Sequence, residues 1–296
     1  MSKQFLLLLL LASQGLSQTP FIREGSIGQP ASKSDADQDK FGTLEIKDWK
    51  GQKFIFLPES KKLQHYGYQG FNPPPTYDKW VGKILTVVDV NTKEILPEFT
   101  FKSSDGKTIR AKAYGDSIHG IAPLRDLEYA HSNWLGKTFW IADSRGLVTW
   151  DETTEQYGSV KAKKYSPLVV QDVVASWDDN SPIRIILKIA KGDIGFRDVN
   201  ASGTNIGPTL RRYSRFADEF LEQDPRLTKN WPEEIWTAIE AGKVFIGMTS
   251  EQARMSWGEP KSVNRTATTH GTDEQWVYGS STYLYIEAGK VTAVQN

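Results

Sequence analysis

Four histidines and 36 acidic side chains, with no cysteine, carry most of the reactive chemistry available to this 296-residue chain. His65, His119, His131 and His270 form neither an H-x-H nor an H-E-x-x-H pair, the spacings that bring two imidazoles onto one metal ion. No metal site and no cofactor are expected. Asp116-Ser117-Ile118-His119 supplies an acid, a nucleophile and a base by type, yet four consecutive residues cannot take up triad geometry without distant partners. The segment reads as a polar loop. Gly203-Thr204-Asn205-Ile206-Gly207 lacks the lysine of a phosphate-binding loop, and no Rossmann glycine pattern follows a strand. No spacing among the carboxylates nominates a pair for glycoside cleavage. The missing cysteines exclude thiolate metal sites, thiol catalysis and disulfides. No catalytic residue is predicted.

Charge narrows the partners. The 36 basic and 36 acidic residues cancel, so no net field draws in nucleic acid or an acidic membrane. Lys161-Ala162-Lys163-Lys164 and Arg211-Arg212 read as solvated surface. Residues 1–18 have the layout of a secretory signal: Lys3, an apolar run from Phe5 to Ala12, then Ser13, Gly15 and Ser17 as small residues for cleavage near 17–18. That run is far shorter than the roughly 20 residues that span a bilayer. A periplasmic or extracellular location follows, with no integral membrane span in the mature chain and no lipobox cysteine. Residues 19–41 are rich in Ser, Gln, Gly, Pro and Asp and too poor in apolar surface to offset their ordering entropy.

The elements that would position any site begin after this leader. Trp49-Lys50-Gly51-Gln52-Lys53-Phe54-Ile55-Phe56 parallels Trp134-Leu135-Gly136-Lys137-Thr138-Phe139-Trp140-Ile141, about 85 residues further on. In the same order, the run from Trp80 to Asp89 faces Ser166 to Val174, and Lys102 to Lys107 faces Lys188 to Asp193. Two β-rich units are therefore expected, at 42–116 and 117–203. Their Trp-x-Gly-x-x-aromatic openings bear an architectural likeness to tandem bacterial SH3-like domains. Asp105-Gly106 between alternating runs marks a hairpin, and Asp178-Asp179-Asn180-Ser181-Pro182 a turn. At 204–229, Leu210, Tyr213, Phe216, Ala217, Phe220 and Leu221 fall at helical spacing, which predicts a connector helix from Pro208-Thr209 to Asp224-Pro225.

The last stretch, 230–296, predicts two helices and three strands. Asn230 is placed to cap the first helix, with Pro232 in its first turn. Thr249 and Gln252 form a capping box for the second, which Gly258 and Pro260 end. Strands are expected near 274–278, 282–287 and 290–295. Gly247-Met248-Thr249-x-x-Gln252, Gly258-x-Pro260, Trp276-Val277-Tyr278 and Leu284-Tyr285-Ile286-Glu287-x-Gly289-Lys290-Val291 together resemble the SmpA/OmlA (BamE-like) family of outer-membrane lipoproteins. The resemblance implies a two-helix, three-strand α+β module that lives in the envelope and binds or scaffolds without catalysis. Ala253 and Trp257 stand where the family has aliphatic residues, and its lipid-bearing cysteine is missing.

An exported, non-enzymatic α+β protein is expected, binding an envelope protein or a cell-wall component. Its candidate binding rings are Trp276 and Tyr278 on one strand face and Tyr283 and Tyr285 on another. The competing expectations are a cell-wall or carbohydrate-active hydrolase with dispersed acidic residues, and a hydrolase or protease inhibitor.

Overall fold

The computed structural model describes residues 41–151, 153–207, 214–268 and 271–296. The expected signal and leader up to residue 40, the start of the connector helix at 208–213, and His270 lie outside the described residues. The rest is mixed α+β, mostly curled β-sheet with few helices.

The first unit is a six-stranded sheet. It is built from β1 (Lys53–Phe56), β2 (Phe71–Asn72), β3 (Ile84–Asn91), β4 (Glu98–Ser103), β5 (Thr108–Lys112) and β6 (Ile121–Pro123) in the order β2-β5-β4-β3-β1-β6. Short helices α1 (Lys61–Gln64) and α2 (Tyr77–Trp80) bracket β2. A longer helix, α3 (Leu124–Trp134), leads to the second unit. That unit holds β7 (Thr138–Ile141), β8 (Leu147–Asp151), β9 (Gln156–Val160), β10 (Pro167–Ala175), β11 (Ile183–Ile189), β12 (Ile194–Val199) and, after the single turn α4 (Phe216–Glu219), β13 (Phe220–Leu221). Their order is β13-β7-β10-β11-β12-β8-β9. Reversed, it repeats the first sheet strand for strand, with β9 added at one edge.

Backbone detail repeats as well. Gly51 N–H donates to Val87 O at 2.8 Å, and Gly136 N–H donates to Val170 O at 2.9 Å. β3 bulges between Val87 and Asp89, and β10 between Val170 and Asp172. Both β4–β5 and β11–β12 hairpins turn on a glycine in the left-handed region, Gly106 and Gly192, where no Cβ opposes the turn. The bulges correct the sequence alignment of the middle block. Val87 matches Val170 and Asp89 matches Asp172, so Ser166 stands opposite Lys83 rather than Trp80.

Two sequence expectations fail in this region. α3 falls within the stretch expected to be the second β-rich unit, where no helix was expected. Leu124, Leu127, Ala130 and Trp134 make its buried face, a helical spacing that was present in the sequence and overlooked. The predicted connector helix does not continue through its described part: after α4 the chain extends, and Phe220 and Leu221 pair with Ile141 and Trp140 of β7. The apolar spacing there serves the core of the second unit instead. Phe216 stacks on Trp134 at 3.8 Å and on Phe220 at 4.9 Å.

Past α5 (Pro225–Thr228) comes the last module: α6 (Glu233–Glu240), α7 (Ser250–Trp257) and a meander of β14 (Ser262–Thr268), β15 (Gly271–Val277), β16 (Tyr283–Glu287) and β17 (Lys290–Gln295). The Thr249–Gln252 capping box forms in both directions. Asn230 does not cap α6, whose first turn instead follows Pro232. The sheet has four strands, not three. β14 was missed because Ser262-Val263-Asn264-Arg265-Thr266-Ala267-Thr268 is an edge strand with few apolar side chains to signal alternation.

Candidate ligand-binding surface

The four rings singled out in the last module do not form one surface. Trp276 is wholly buried with Leu284, Ile286 and Val291 beneath the helices, and its Nε1 donates to Glu274 Oε2 at 2.8 Å. Its proposed role as a binding ring is therefore corrected to a core role: β15 turns this position inward. Tyr278, beyond the end of β15, meets the Trp257 ring edge-on and donates to Gly258 O at 3.0 Å. Tyr283 and Tyr285 stand on the opposite, outer face and are half-buried. There Asn264 Nδ2 donates to Gln275 Oε1, Gln275 Nε2 to the Tyr285 hydroxyl, and that hydroxyl to Gln295 Oε1, each at 3.0–3.1 Å. A polar ladder thus crosses all four strands and holds the Tyr285 ring along the sheet.

The histidine of the Asp116-Ser117-Ile118-His119 loop acquires distant partners. His119 Nδ1 pairs with Asp179 of the β10–β11 loop, and Nε2 lies 3.5 Å from Glu59 Oε1, a buried carboxylate that follows β1. The two carboxylates, Asp179 foremost, push the imidazole up to about 10, against the opposing effect of burial. With a carboxylate on each ring nitrogen, His119 is an ion-paired latch between the units. Ser117, its sequence neighbour, instead donates to Tyr114 O.

Gly203-Thr204-Asn205-Ile206-Gly207 also turns out to be a fastener. Asn205 Oδ1 accepts from Ile118 N–H at 2.6 Å, and its Nδ2 donates to Ile118 O and Ile121 O at 2.9 and 2.7 Å. Thr204 Oγ1 accepts from Leu44 N–H. Next to it, Ser202 N–H donates to the fully buried Asp126 of α3 at 3.0 Å. These bonds tie residues 202–205 to α3 and to the first unit.

The open rings lie elsewhere, on the outer face of the second sheet. Trp150 of β8 and Tyr157 of β9 are direct cross-strand partners, their centroids 4.7 Å apart. Trp177, from the β10–β11 loop, meets Trp150 at 6.2 Å and Tyr157 at 6.5 Å, edge to face with both. Tyr157 is 58% exposed, and the two tryptophans are half-buried. Behind them Arg184 is sandwiched, its guanidinium 3.8 Å from the Phe196 centroid and 4.3 Å from that of Trp177. Arg184 grips Asp198 through two 2.6 Å hydrogen bonds, a geometry fixed by their cross-strand register. Partial burial raises the Tyr157 phenol above its ordinary value.

Sequence reading missed these three rings. Their signal was available: Trp150 and Tyr157 flank the polar run 151–156, and Trp177 adjoins the turn Asp178-Asp179-Asn180. Aromatics at the lips of polar turns have no need to be core.

Two hollows, about 250 Å³ beside Tyr129 and Trp134 and about 290 Å³ beside Tyr285, are smaller than the roughly 300–1,000 Å³ typical of ligand clefts. Among the described residues no group of three His, Asp or Glu side chains is placed to hold a metal ion, and no helix is long and apolar enough to cross a membrane. No protein-family model matches the sequence, and neither curated proteins nor solved structures give a match.

Proposed function

We propose that the protein is an exported, non-enzymatic binding or scaffold component of the cell envelope, engaging a protein or cell-wall partner through the outer face of its second unit. One observation carries this: Trp150, Tyr157 and Trp177, the first and last half-buried and Tyr157 exposed, gather beside a preassembled Arg184–Asp198 pair. Rings give large contact area for little lost side-chain entropy, which makes such clusters effective anchors. The signal-like first 18 residues support export. The helix pair over a meander in the last module supports a BamE-like docking role, with β14 as an elaboration.

A hydrolase is the second reading, favoured by the convergence of Glu59 and Asp179 at the seam. His119 occupies the space between their carboxylates, where a scissile bond would have to sit, so binding is preferred. Co-sedimentation with isolated envelope and cell-wall fractions tests this. Binding that is lost on replacing the three rings by alanine supports the proposal. Release of soluble fragments that stops in Glu59→Gln would establish the hydrolase.

A further inference from the structure

The open rings also indicate the class of ligand, and this inference rests on the binding role just proposed. We infer that the Trp150–Tyr157–Trp177 surface is a carbohydrate-binding platform, stacking the apolar C–H face of a sugar on its rings while polar groups at its margin take the hydroxyls.

The location is informative. The β2 edge of the first unit is flanked by α1 and α2, and Phe56, Tyr68, Phe71 and Trp80 there are all buried. At the matching edge of the second unit the chain builds the extra strand β9 instead, and there Tyr157 is exposed and Trp150 only half-buried. β9 is therefore an addition to a scaffold that elsewhere folds without it, and Trp177 stands on the loop that matches residues 92–97 of the first unit.

Three ligand classes fit this geometry poorly. A quaternary or methylated ammonium ion needs an empty aromatic box. Here Arg184 already lies against Trp177, so the box is not empty. A phosphate or carboxylate group needs an uncommitted guanidinium fork, whereas Arg184 is turned bidentate onto Asp198 and is 1% exposed. A polyproline segment docks between ring walls that form parallel slots, but these rings are inclined to one another by 57–75°. A neutral polyol requires none of these. Polarised C–H groups stack on the electron-rich faces of aromatic rings, and Tyr157 is the most exposed ring here. Asp198, partly exposed and fixed by its ion pair, and the Tyr157 hydroxyl supply rigid hydrogen-bonding partners at the margin.

Titration of the full chain with a β-1,4-linked N-acetylglucosamine hexamer, a cellohexaose and a decaproline peptide, followed by calorimetry and tryptophan fluorescence, tests the inference. Saturable binding of at least one saccharide is expected, with quenching. It should weaken about tenfold or more in both Trp150→Ala and Trp177→Ala, the loss expected of an aromatic anchor. Tyr157→Phe, which keeps the ring, should bind better than Tyr157→Ala. Circular dichroism confirms that each variant is folded. Decaproline binding that depends on the same rings, without saccharide binding, overturns the carbohydrate assignment and leaves the binding role standing. Saccharide binding indifferent to the ring substitutions overturns the platform. Failure of all three ligands, together with ring-independent sedimentation in the envelope assay, removes both.

Discussion

The two β units share a strand order, a bulge and their turns, but they distribute their aromatic side chains differently. In the first, Trp49, Phe54, Phe56, Tyr68, Phe71, Trp80, Phe99 and Phe101 pack one core. In the second, Leu168, Val170, Val173, Ile183, Ile185, Leu187 and Val199 form an aliphatic centre, while Trp150, Tyr157 and Trp177 stand outside it. The buried rings of this core, Trp134, Phe139, Phe216 and Phe220, cluster beside β7 and β13, away from the other three. One scaffold thus encloses its sheet-face rings in one copy and leaves three rings outside the core in the other.

A second difference concerns one backbone position. Gly82 sits at φ +74 and donates its N–H to Phe56 O; its counterpart Tyr165 sits at φ +58 and donates to Ile141 O. Holding a tyrosine there costs on the order of 1–3 kcal/mol. The compensation is structural: Tyr165 enters the core of the last module, lies edge-on to Trp236 at 6.3 Å, and donates to Met255 O at 3.1 Å. Lys164 beside it donates to Ser256 O. The second unit therefore carries the last module.

The sharpest way to break the comparison is to truncate one ring of each kind. Trp49→Ala should cost about 3–5 kcal/mol in urea denaturation, as for a core aromatic, whereas Trp177→Ala should cost about 1 kcal/mol or less. Equal losses would mean that Trp177 is core. At the seam, Asp126→Ala leaves the buried Ser202 N–H without its acceptor, and a loss of about 1–3 kcal/mol is expected by the same measurement. Tyr165→Phe removes a single hydrogen bond to the last module and should cost about 0.5–1.5 kcal/mol. Tyr165→Gly relieves the backbone but deletes the peg, and should make the segment after residue 230 more susceptible to limited proteolysis.

The smallest effect is pH dependent. His119 is held above its ordinary value of about 6.5 by Asp179 and Glu59, so its ion pairs contribute fully below that pH. Their contribution declines as pH rises and is gone once pH has passed through about 10. Stability profiles of the parent chain and His119→Gln should accordingly separate near pH 6 and converge above pH 10. A constant separation would show that the latch does not titrate.

The sequence revealed local signals well and long-range ones poorly. The paired Trp-x-Gly openings, the Asp105-Gly106 hairpin and the Thr249–Gln252 box are encoded within a few residues, and all were legible. Phe216 and Phe220 were not, because their helical spacing is equally suited to a turn followed by a strand, and the partner rings on Trp134 and Phe139 decide between them. His119 was dismissed on local grounds, since Glu59 and Asp179 are distant in sequence. The platform was hidden for the same reason: Trp177 meets Trp150 only through sheet topology. Trp276 was misassigned because alternation identifies two strand faces without saying which one the helices cover.

The most direct test uses the tryptophans as reporters. With the full chain labelled with 5-fluorotryptophan and its resonances assigned by single substitutions, the N-acetylglucosamine and glucose hexamers are added in turn while fluorine NMR is recorded. Saturable shifts at Trp150 and Trp177, with Trp49, Trp134 and Trp276 unmoved, are the predicted result. Saturation of either sugar with shifts at other tryptophans only, or no shift from either sugar, would contradict it.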